Sequence, residues 1–256
     1  MGNFATARIA AFIVALMSAA GAHAGTAIPK QIGYTYFVRG ERVGRSDVKV
    51  TQTADVLRFE SKIHVVSGEA TTELSTRTEA DPRTSAIRSF SYEGSKGGTP
   101  VSSSITVLGD SCYGWVSMGE GGKKEPRARR VTPGPMIVWE DWVMDLEILL
   151  ALQQARASNN SSTRGIVLAA SYSSAVATLG YTGDVVVESP QKSMAARKLL
   201  ISIQGGSPFE SLVDPERGIP VYIHFPGIQA EIFLDEFFGE NPVSRYPTSV
   251  KPPAKQ

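Results

Sequence analysis

The stretch LRFESKIHV, residues 57–65, carries the pattern on which the fold prediction rests. Its apolar side chains share one parity along the chain, and charged or polar side chains hold the other. The apolar set is Leu57, Phe59, Ile63 and Val65, and the opposite set is Arg58, Glu60, Lys62 and His64. Because successive side chains of a β-strand point to opposite faces, this alternation is typical of a strand with one buried and one solvated face.

Further strands of the same kind are predicted on both sides of this stretch. Residues 101–107 repeat the alternation, and turn-forming pairs such as Gly97-Gly98 separate the strands at short intervals. After Gly165 the pattern resumes, and its clearest hairpin joins FESLV to IPVYIHF through DPERG, residues 214–218. Closely spaced strands with short turns predict a meander of antiparallel hairpins rather than parallel βαβ units.

One segment, residues 139–155, has the periodicity of a helix instead. Five apolar side chains fall on a single face at helical spacing, namely Trp139, Trp142, Val143, Leu146 and Leu150. Ile148 and Leu152 fall on the far face, as expected for a helix that packs on one side and covers something on the other. The acidic residues Glu140, Asp141, Asp145 and Glu147 fit solvent-facing side chains that compensate the helix dipole better than they fit a catalytic carboxylate pair.

These patterns predict a mainly β protein, with one sheet of about ten antiparallel strands and a single helix against its concave face. A chain of this length fits one all-β domain, which we expect to span residues 25–240. Residues 241–256 contain four prolines and no periodicity, and they are predicted to form a disordered Pro-rich tail.

Residues 1–24 are predicted to be a secretory signal peptide. Arg8 is followed by an apolar run, and small residues then lead to Ala22-His23-Ala24 before Gly25. A positive start, a short apolar core and an A-x-A ending describe such a peptide, and the core is far shorter than the roughly 20 residues that span a bilayer. Cleavage after Ala24 would release the protein into the periplasm or the medium.

Charge and cysteine content narrow the function further. The chain has 26 Lys and Arg residues against 25 Asp and Glu residues, a formal net charge of +1 at pH 7. This balance argues against a nucleic-acid binder, which is usually basic over the whole domain. Cys112 is the only cysteine, so it forms no internal disulfide, and no cysteine at the cleavage site is available for lipid attachment.

The most suggestive chemical motif is ITVLGDSCYG, residues 105–114, which resembles the nucleophile block of the SGNH esterases. In such an enzyme Ser111 would be the nucleophile, and a later Asp-x-x-His would supply its base. His224 is the only histidine that follows, and the residue three positions before it is Val221. We therefore expect Gly109-Asp110 to be a hairpin turn and Ser111 not to be catalytic.

Other catalytic, metal and phosphate sites are not predicted either. Cys112 is expected to be a half-buried structural residue, because His64 and His224 lie on the polar parity of their strands and are poorly placed to activate it. The two histidines are far apart and lack acids at metal-ligand spacing. The glycines before Lys123 lack the other residues of a phosphate-binding loop. The chain is thus predicted not to be an enzyme, and no cofactor or metal is expected.

Residues 119–135 are rich in Gly and Pro and are predicted to form a long, mobile, basic loop. Its cations are Lys123, Lys124, Arg127, Arg129 and Arg130, against two acids, Glu120 and Glu125. These side chains are candidates for transient contact with anionic lipid headgroups or with an envelope protein, since each exposed cation near an anionic surface contributes about 1 kcal/mol. An ordinary solvated loop is the alternative.

The order of the parts resembles that of small periplasmic β proteins. YTYFVRGERVG, residues 34–44, resembles their first hairpin, and LVDPERGIPVYIHF, residues 212–225, with the strand through Leu234 resembles their last hairpins. Their fold resembles that of the LolA/LolB lipoprotein carriers. The resemblance implies a strongly curved antiparallel sheet, an incomplete barrel with helix over its concave apolar face, and a cavity for lipid or acyl chains. Without a lipidated cysteine, the chain is LolA-like rather than LolB-like.

We therefore expect a soluble exported carrier for an apolar or lipidic ligand in the bacterial envelope. The residues expected to bind the ligand are Trp139, Trp142, Val143, Leu146 and Leu150. Two alternatives stay open: a non-catalytic envelope scaffold or assembly factor that binds protein, and a β-barrel enzyme whose site the patterns do not reveal. An apolar cavity of several hundred Å3 would favour the carrier, because ligand pockets typically have that volume.

Overall fold

The computed structural model describes residues 28–119, 121–134, 136–156, 161–239 and 241–246. The predicted signal peptide, residues 1–24, and residues 247–256 of the predicted tail lie outside this range. Over the described residues the protein has fifteen strands and two short helices, and all fifteen strands belong to one sheet.

The elements follow one another along the chain as follows. The strands are β1 (Gln31–Val38), β2 (Glu41–Gln52), β3 (Leu57–Ser67), β4 (Ala70–Ala80), β5 (Ile87–Lys96), β6 (Thr99–Leu108), β7 (Ser111–Met118), β8 (Glu125–Arg130), β9 (Ile137–Trp139), β10 (Ser161–Leu168), β11 (Ser174–Glu188), β12 (Ser193–Ile203), β13 (Phe209–Val213), β14 (Pro220–Phe225) and β15 (Ala230–Leu234). The helices are α1 (Met144–Arg156) and α2 (Asp235–Phe238), and a 3-10 turn spans Pro226–Ile228.

The sheet is an antiparallel meander that returns on itself. Its order is β8-β7-β6-β5-β4-β3-β2-β1-β15-β14-β13-β12-β11-β10-β9, so the first and last strands are neighbours at its centre. Tyr34 of β1 lies opposite Leu234 of β15 in this pairing. Among the described strands only the β9–β10 pair is parallel. The predicted fold class, one antiparallel sheet with little helix, is confirmed.

The alternation that predicted the strands also sets the two faces of the sheet. In β3 the side chains of Leu57, Phe59, Ile63 and Val65 are buried on the concave side, as predicted. The predicted DPERG turn joins β13 to β14, with Gly218 at φ 68° and the N–H of Glu216 donating to Asp214 Oδ1 at 2.8 Å. Only glycine adopts such a positive φ without strain. Gly109 and Asp110 likewise form the predicted turn between β6 and β7.

The predicted strand number, about ten, is too low, since the sheet has fifteen strands. Part of the difference lies in residues 119–135, which were predicted to be a mobile loop. β8 crosses this segment, pairs with β7, and exposes all six of its residues. Backbone pairing does not require an apolar parity, so a strand with no buried side chain gives no alternation to detect. β9, with three residues, is too short to show a period.

Curvature brings the two ends of the sheet together. The Tyr172 hydroxyl, in the turn after β10, donates a hydrogen bond to the carbonyl of Ser104 in β6. Arg129 Nε in β8 donates to the carbonyl of Tyr172 at 3.1 Å, and Ser103 Oγ donates to the carbonyl of Ala169 at 3.2 Å. These contacts between the distant ends give the sheet its barrel-like form.

Helix α1 lies inside this curved sheet and begins later than predicted. Trp139 is the last residue of β9, which pairs with β10, and is therefore not part of the helix. The helix begins at Met144. Every residue from 143 to 154 is buried. The prediction that the acidic residues face solvent is therefore wrong for Glu140, Asp145 and Glu147, which are 5%, 0% and 5% exposed. The sheet curls around the helix and leaves none of its faces in water.

Asp145 shows how the interior accommodates one of these acids. Its carboxylate accepts hydrogen bonds from Ser61 Oγ at 3.3 Å and Thr76 Oγ1 at 3.1 Å, and a third from the hydroxyl of Thr78. Burial raises the pKa of Asp145, while the three hydroxyl donors act in the opposite direction. The carboxylate thereby fixes the first turn of α1 to strands β3 and β4.

A second, smaller apolar cluster lies on the convex face. It consists of Phe37, Tyr222 and Phe233, with Phe238 of α2 packed against it. Residues 241–246 also contact this face, where the buried carboxylate of Glu231 accepts hydrogen bonds from the hydroxyls of Tyr222, at 2.6 Å, and Ser244 and from the backbone N–H of Arg245. The folded domain thus continues past residue 240, the predicted boundary, to at least Tyr246.

Candidate functional site

A pocket opens where the chain passes from β9 into α1, and we call it the Trp142 pocket. One wall comprises residues 139–144 and Glu147, and the other comprises Phe225, Ile228 and Ile232. Its volume is about 290 Å3, near the lower end of the roughly 300–1,000 Å3 usual for small-molecule sites. Most of the lining is apolar, and Ile228, which is 56% exposed, stands at its rim.

Larger grooves lie elsewhere, but they are poorer candidates. One of about 780 Å3 runs along the polar face of β1–β4 and is lined by charged side chains. Several of these already pair with each other, as Arg45 does with Asp47 at 2.5 Å and Lys49 with Glu60 at 4.0 Å. The Trp142 pocket is more enclosed than this groove and is lined by aromatic rings, so it is the better candidate.

The backbone at Trp142 has an unusual conformation. Its φ is 68°, in the left-handed region, which costs a bulky non-glycine residue about 1–2 kcal/mol. Tyr36 of β1 holds the residue there, because its hydroxyl donates to the Trp142 carbonyl at 2.8 Å and its ring meets the indole edge to face at 5.5 Å. The fold thus maintains a strained geometry that places an indole in the pocket wall.

Other aromatic rings support the pocket from the opposite side. Phe225 stacks on Phe209 with ring centroids 4.5 Å apart, and Phe209 in turn contacts Trp139 at 5.4 Å. The rings of Trp139, Trp142 and Phe225 therefore line one pocket although they come from two segments that are distant in sequence. Aromatic side chains give large contact areas with little loss of conformational freedom.

The main polar feature of the pocket is the carboxyl group of Glu147. This residue is 5% exposed, and its Oε2 atom is buried without a hydrogen-bond partner among the described residues. Desolvation raises its pKa to about 8. An unpaired buried polar group typically costs about 1–3 kcal/mol, so an orphan acceptor in an apolar pocket calls for an explanation beyond packing.

Glu140 is a second buried carboxylate in the lining. It forms an ion pair with Lys96 of β5, yet its Oε2 atom is buried and has no partner among the described residues. Burial raises the pKa of Glu140, and the charge of Lys96 acts in the opposite direction. The pocket therefore combines aromatic walls with two carboxylates that retain unused acceptor atoms.

The structure brings some of the predicted ligand-binding residues together and leaves others apart. Trp139, Trp142 and Val143 line the pocket as a group, whereas Leu146 and Leu150 lie in the surrounding core, 2% and 3% exposed, and do not line it. Sequence reasoning missed the other lining residues, which are Glu140, Asp141, Met144, Glu147, Phe225, Ile228 and Ile232. A signal for Glu147 existed, because it follows Val143 by four residues and precedes Leu150 by three, which puts a carboxylate on the apolar face.

The basic side chains of residues 123–130 are exposed, but most already have partners. Arg127 pairs with Glu125, Arg130 with Asp110 at 2.7 Å, and Lys124 lies 4.2 Å from the centre of the Trp115 ring. Their contact with lipid headgroups or an envelope protein stays a prediction.

Among the described residues, neither Ser111 nor Cys112, the two candidate nucleophiles of the sequence, is hydrogen-bonded to a histidine that could act as its base. Cys112 is fully buried rather than half-buried as predicted, and burial raises the pKa of its thiol. Ser111 Oγ donates to Asp110 Oδ1 at 3.1 Å. His64 contacts Glu73 on the exposed face, while His224 is covered on the convex face by Tyr246.

Two other features are absent from the described residues. No helix there has the length and apolar character needed to cross a bilayer. No group of three or more His, Cys, Asp and Glu side chains in the same ranges is arranged to hold a metal ion.

Comparisons with known proteins identify the fold. No protein-family model matches the sequence, and no curated protein matches it. A solved β-barrel-like protein of the domain of unknown function DUF1849, from Brucella abortus, is similar in structure with a TM-score of 0.55 and 11% identity, over 82% of this chain and 97% of that one. A DUF1089 family protein from Pseudomonas aeruginosa gives a TM-score of 0.41 and 14% identity, over 72% of this chain and 90% of that one. The first likeness shows a shared β-barrel-like fold, and the resemblance to LolA-type carriers stays a prediction.

Proposed function

We propose that the protein binds a small apolar or amphiphilic ligand in the Trp142 pocket and carries it in the bacterial envelope. The observation that supports this most directly is the orphan Oε2 atom of Glu147 beside the rings of Trp139, Trp142 and Phe225. Aromatic walls with a few convergent polar groups are the usual composition of a small-molecule site.

The fold supports a carrier of small ligands better than one of whole lipids. α1 fills the interior of the curved sheet, with residues 143–154 all buried. The space left near its start is about 290 Å3. The ligand is therefore expected to insert only a ring or a short chain. Export rests on the predicted signal peptide and is part of the same proposal.

Titration with the neutral fluorescent probe phenylnaphthylamine tests the binding site. Ile228→Ser removes an apolar rim residue that is 56% exposed, so the variant should fold normally. Loss of that side chain should weaken binding about fivefold, which corresponds to about 1 kcal/mol of apolar contact. Val186→Ser is the matched control, since Val186 is 70% exposed and remote from the pocket lining. Equal affinities for the two variants would contradict the assignment of the site.

A scaffold that binds an envelope protein is the second candidate. It is favoured by β8, an edge strand of the described sheet whose six residues are all exposed. An exposed edge offers unpaired backbone groups to an added strand. Lipid extraction followed by mass spectrometry of protein purified from its native source distinguishes the two: a co-purified small molecule supports the carrier, and its absence together with a co-purified protein supports the scaffold.

A further inference from the structure

We infer that the ligand of the Trp142 pocket carries an organic ammonium group with at least one N–H, which donates to the carboxylate of Glu147 while the aromatic walls hold the apolar part. This inference rests on the proposed function and specifies the chemistry of the ligand. It follows from the charges, the rings and the orphan acceptors of the pocket.

The ionisable side chains in the pocket lining are all acidic. Glu140, Asp141 and Glu147 are the ionisable side chains among its described lining residues. Lys96 pairs with Glu140 and is not part of the lining. A carboxylate or phosphate headgroup would meet these acids without a cationic side chain to pair with, and like charges at close range are unfavourable. The lining thus selects against fatty acids and anionic phospholipids.

The aromatic walls add an attraction for a cation. A cation within about 6 Å of an aromatic ring face is attracted by the quadrupole of the ring, most strongly with tryptophan. Two of the three rings in the lining are indoles, those of Trp139 and Trp142. Their apolar area meanwhile accommodates an alkyl or aryl substituent, so one pocket serves both parts of an amphiphilic amine.

The hydrogen-bonding state of Glu147 completes the argument. In the free protein its Oε2 atom lacks a donor, whereas Asp145, two residues earlier on the same helix, accepts three hydroxyl hydrogen bonds. The fold therefore supplies donors to a structural carboxylate and withholds them from this one. An ammonium N–H would fill the vacant acceptor with a charge-assisted hydrogen bond, and when Glu147 is protonated, one proton leaves its carboxyl for solvent as the ammonium binds.

Three probes with one chain length isolate the headgroup. Octylammonium, octanol and octanoate are titrated into the full-length mature protein at neutral pH, and binding is followed by tryptophan fluorescence and calorimetry. We expect octylammonium to bind at least tenfold more tightly than octanol, and octanoate to bind more weakly than octanol. The Glu147→Gln variant keeps the size of the side chain and removes its charge. It should lose the preference for octylammonium and bind octylammonium no more tightly than octanol.

A surface variant controls for general attraction between the amine and acidic side chains on the protein surface. Glu188 is exposed and lies outside the pocket lining, so Glu188→Gln should keep the full preference. If octanol binds and octylammonium binds no better, the inference is wrong and the proposed function stands. A preference that persists in Glu147→Gln also overturns it. If none of the three probes binds, both the inference and the proposed function fail.

Discussion

The hydroxyl of Tyr36 donates a hydrogen bond to the backbone carbonyl of Trp142 at 2.8 Å, and the two rings meet edge to face with centroids 5.5 Å apart. This contact links the centre of the sheet to the turn that precedes α1. It stabilises Trp142 at a φ of 68°, a conformation that a bulky residue rarely adopts. The shape of the pocket wall therefore depends on a side chain of β1.

Tyr36→Phe should weaken ligand binding more than its effect on stability suggests. Loss of one hydrogen bond costs about 0.5–1.5 kcal/mol, and the Trp142 turn loses its polar tether. Tyr34→Phe is the matched control, since the Tyr34 hydroxyl donates to the Pro220 carbonyl at 3.1 Å, away from the pocket lining. Urea midpoints should fall similarly in both variants, while only Tyr36→Phe loses affinity for phenylnaphthylamine. Equal probe affinities would show that the tether does not shape the pocket.

Substitution of Leu146 tests whether this residue belongs to the packed core or to the ligand pocket. The side chain is 2% exposed and lies outside the pocket lining. Leu146→Ala should lower the free energy of unfolding by about 2–5 kcal/mol, as for other buried leucines. Probe affinity, measured where the variant is folded, should stay unchanged. A small loss of stability with a large loss of probe affinity would place Leu146 in the ligand site after all.

Sequence patterns predicted the fold correctly where the alternation of apolar and polar side chains reflects one buried and one solvated face of a strand. Residues 57–65 alternate because one face of β3 packs in the core and the other meets water. β8 was missed because neither of its faces is buried, and the start of α1 was misplaced because Trp139 fits a helical face as well as the end of a short strand. Trp139 adopts the strand conformation because β9 pairs with β10, and this contact joins residues that are distant in sequence.

The candidate site was only partly predictable for the same reason. Trp139, Trp142 and Val143 lie in one segment, so their spacing in the sequence was enough to predict that they lie close together. Phe225 and Ile232 reach the pocket through the closing strands β14 and β15, a relationship that no local pattern contains. The acids were assigned to solvent because their spacing near the helix start fits exposed side chains that compensate the helix dipole. Their burial follows from the curvature of the sheet around α1, a property of the whole domain.

Asp145 is predicted to stabilise the fold, whereas Glu147 is proposed to bind the ligand. Asp145→Ala would leave the hydroxyls of Ser61, Thr76 and Thr78 without their common acceptor. We expect a loss of at least about 3 kcal/mol in the free energy of unfolding, because each unsatisfied buried group carries a penalty. Asp141→Ala, at an exposed position just before the helix, should stay within about 0.5 kcal/mol of the wild type. Thermal and urea unfolding measure both, and equal effects would contradict a special role for Asp145.

The segment of residues 241–246 should contribute to stability. A chain ending at Gly239 would remove the Arg245 guanidinium, which lies 4.9 Å from the centre of the Tyr222 ring, and would deprive the buried carboxylate of Glu231 of Ser244 and Arg245. We expect a loss of about 2 kcal/mol or more, since charge-assisted hydrogen bonds are each worth about 1.5–3 kcal/mol. A chain ending at Tyr246 is the control and should keep the wild-type urea midpoint. If both truncations behave like the full chain, the contacts on the convex face are not stabilising.

The ionisation of Glu147 takes place among other titratable groups. Tyr34 and Tyr36 lie near it on β1, Glu140 and Asp141 precede it in the pocket lining, and Asp145 shares its helix. Burial raises the pKa of both tyrosines, so their hydroxyls stay neutral through the range in which Glu147 titrates. Desolvation is the cause of the raised pKa of Glu147.

The pH dependence of stability should therefore carry the signature of Glu147. Its pKa rises from near 4.5 to about 8 on folding, so the folded protein holds the proton more tightly than the unfolded chain. The stabilisation from this group is complete below pH 4.5 and is lost as the pH rises toward 8, with a slope of up to about 1.4 kcal/mol per pH unit. Glu147→Gln, which cannot ionise, should remove that slope and make the variant more stable than the wild type at pH 8 to 9, with little difference at pH 5. Urea unfolding of both proteins between pH 5 and 9 measures this. Parallel curves would mean that the Glu147 carboxyl ionises as readily in the folded protein as in the unfolded chain, and that the pocket already holds a partner for it.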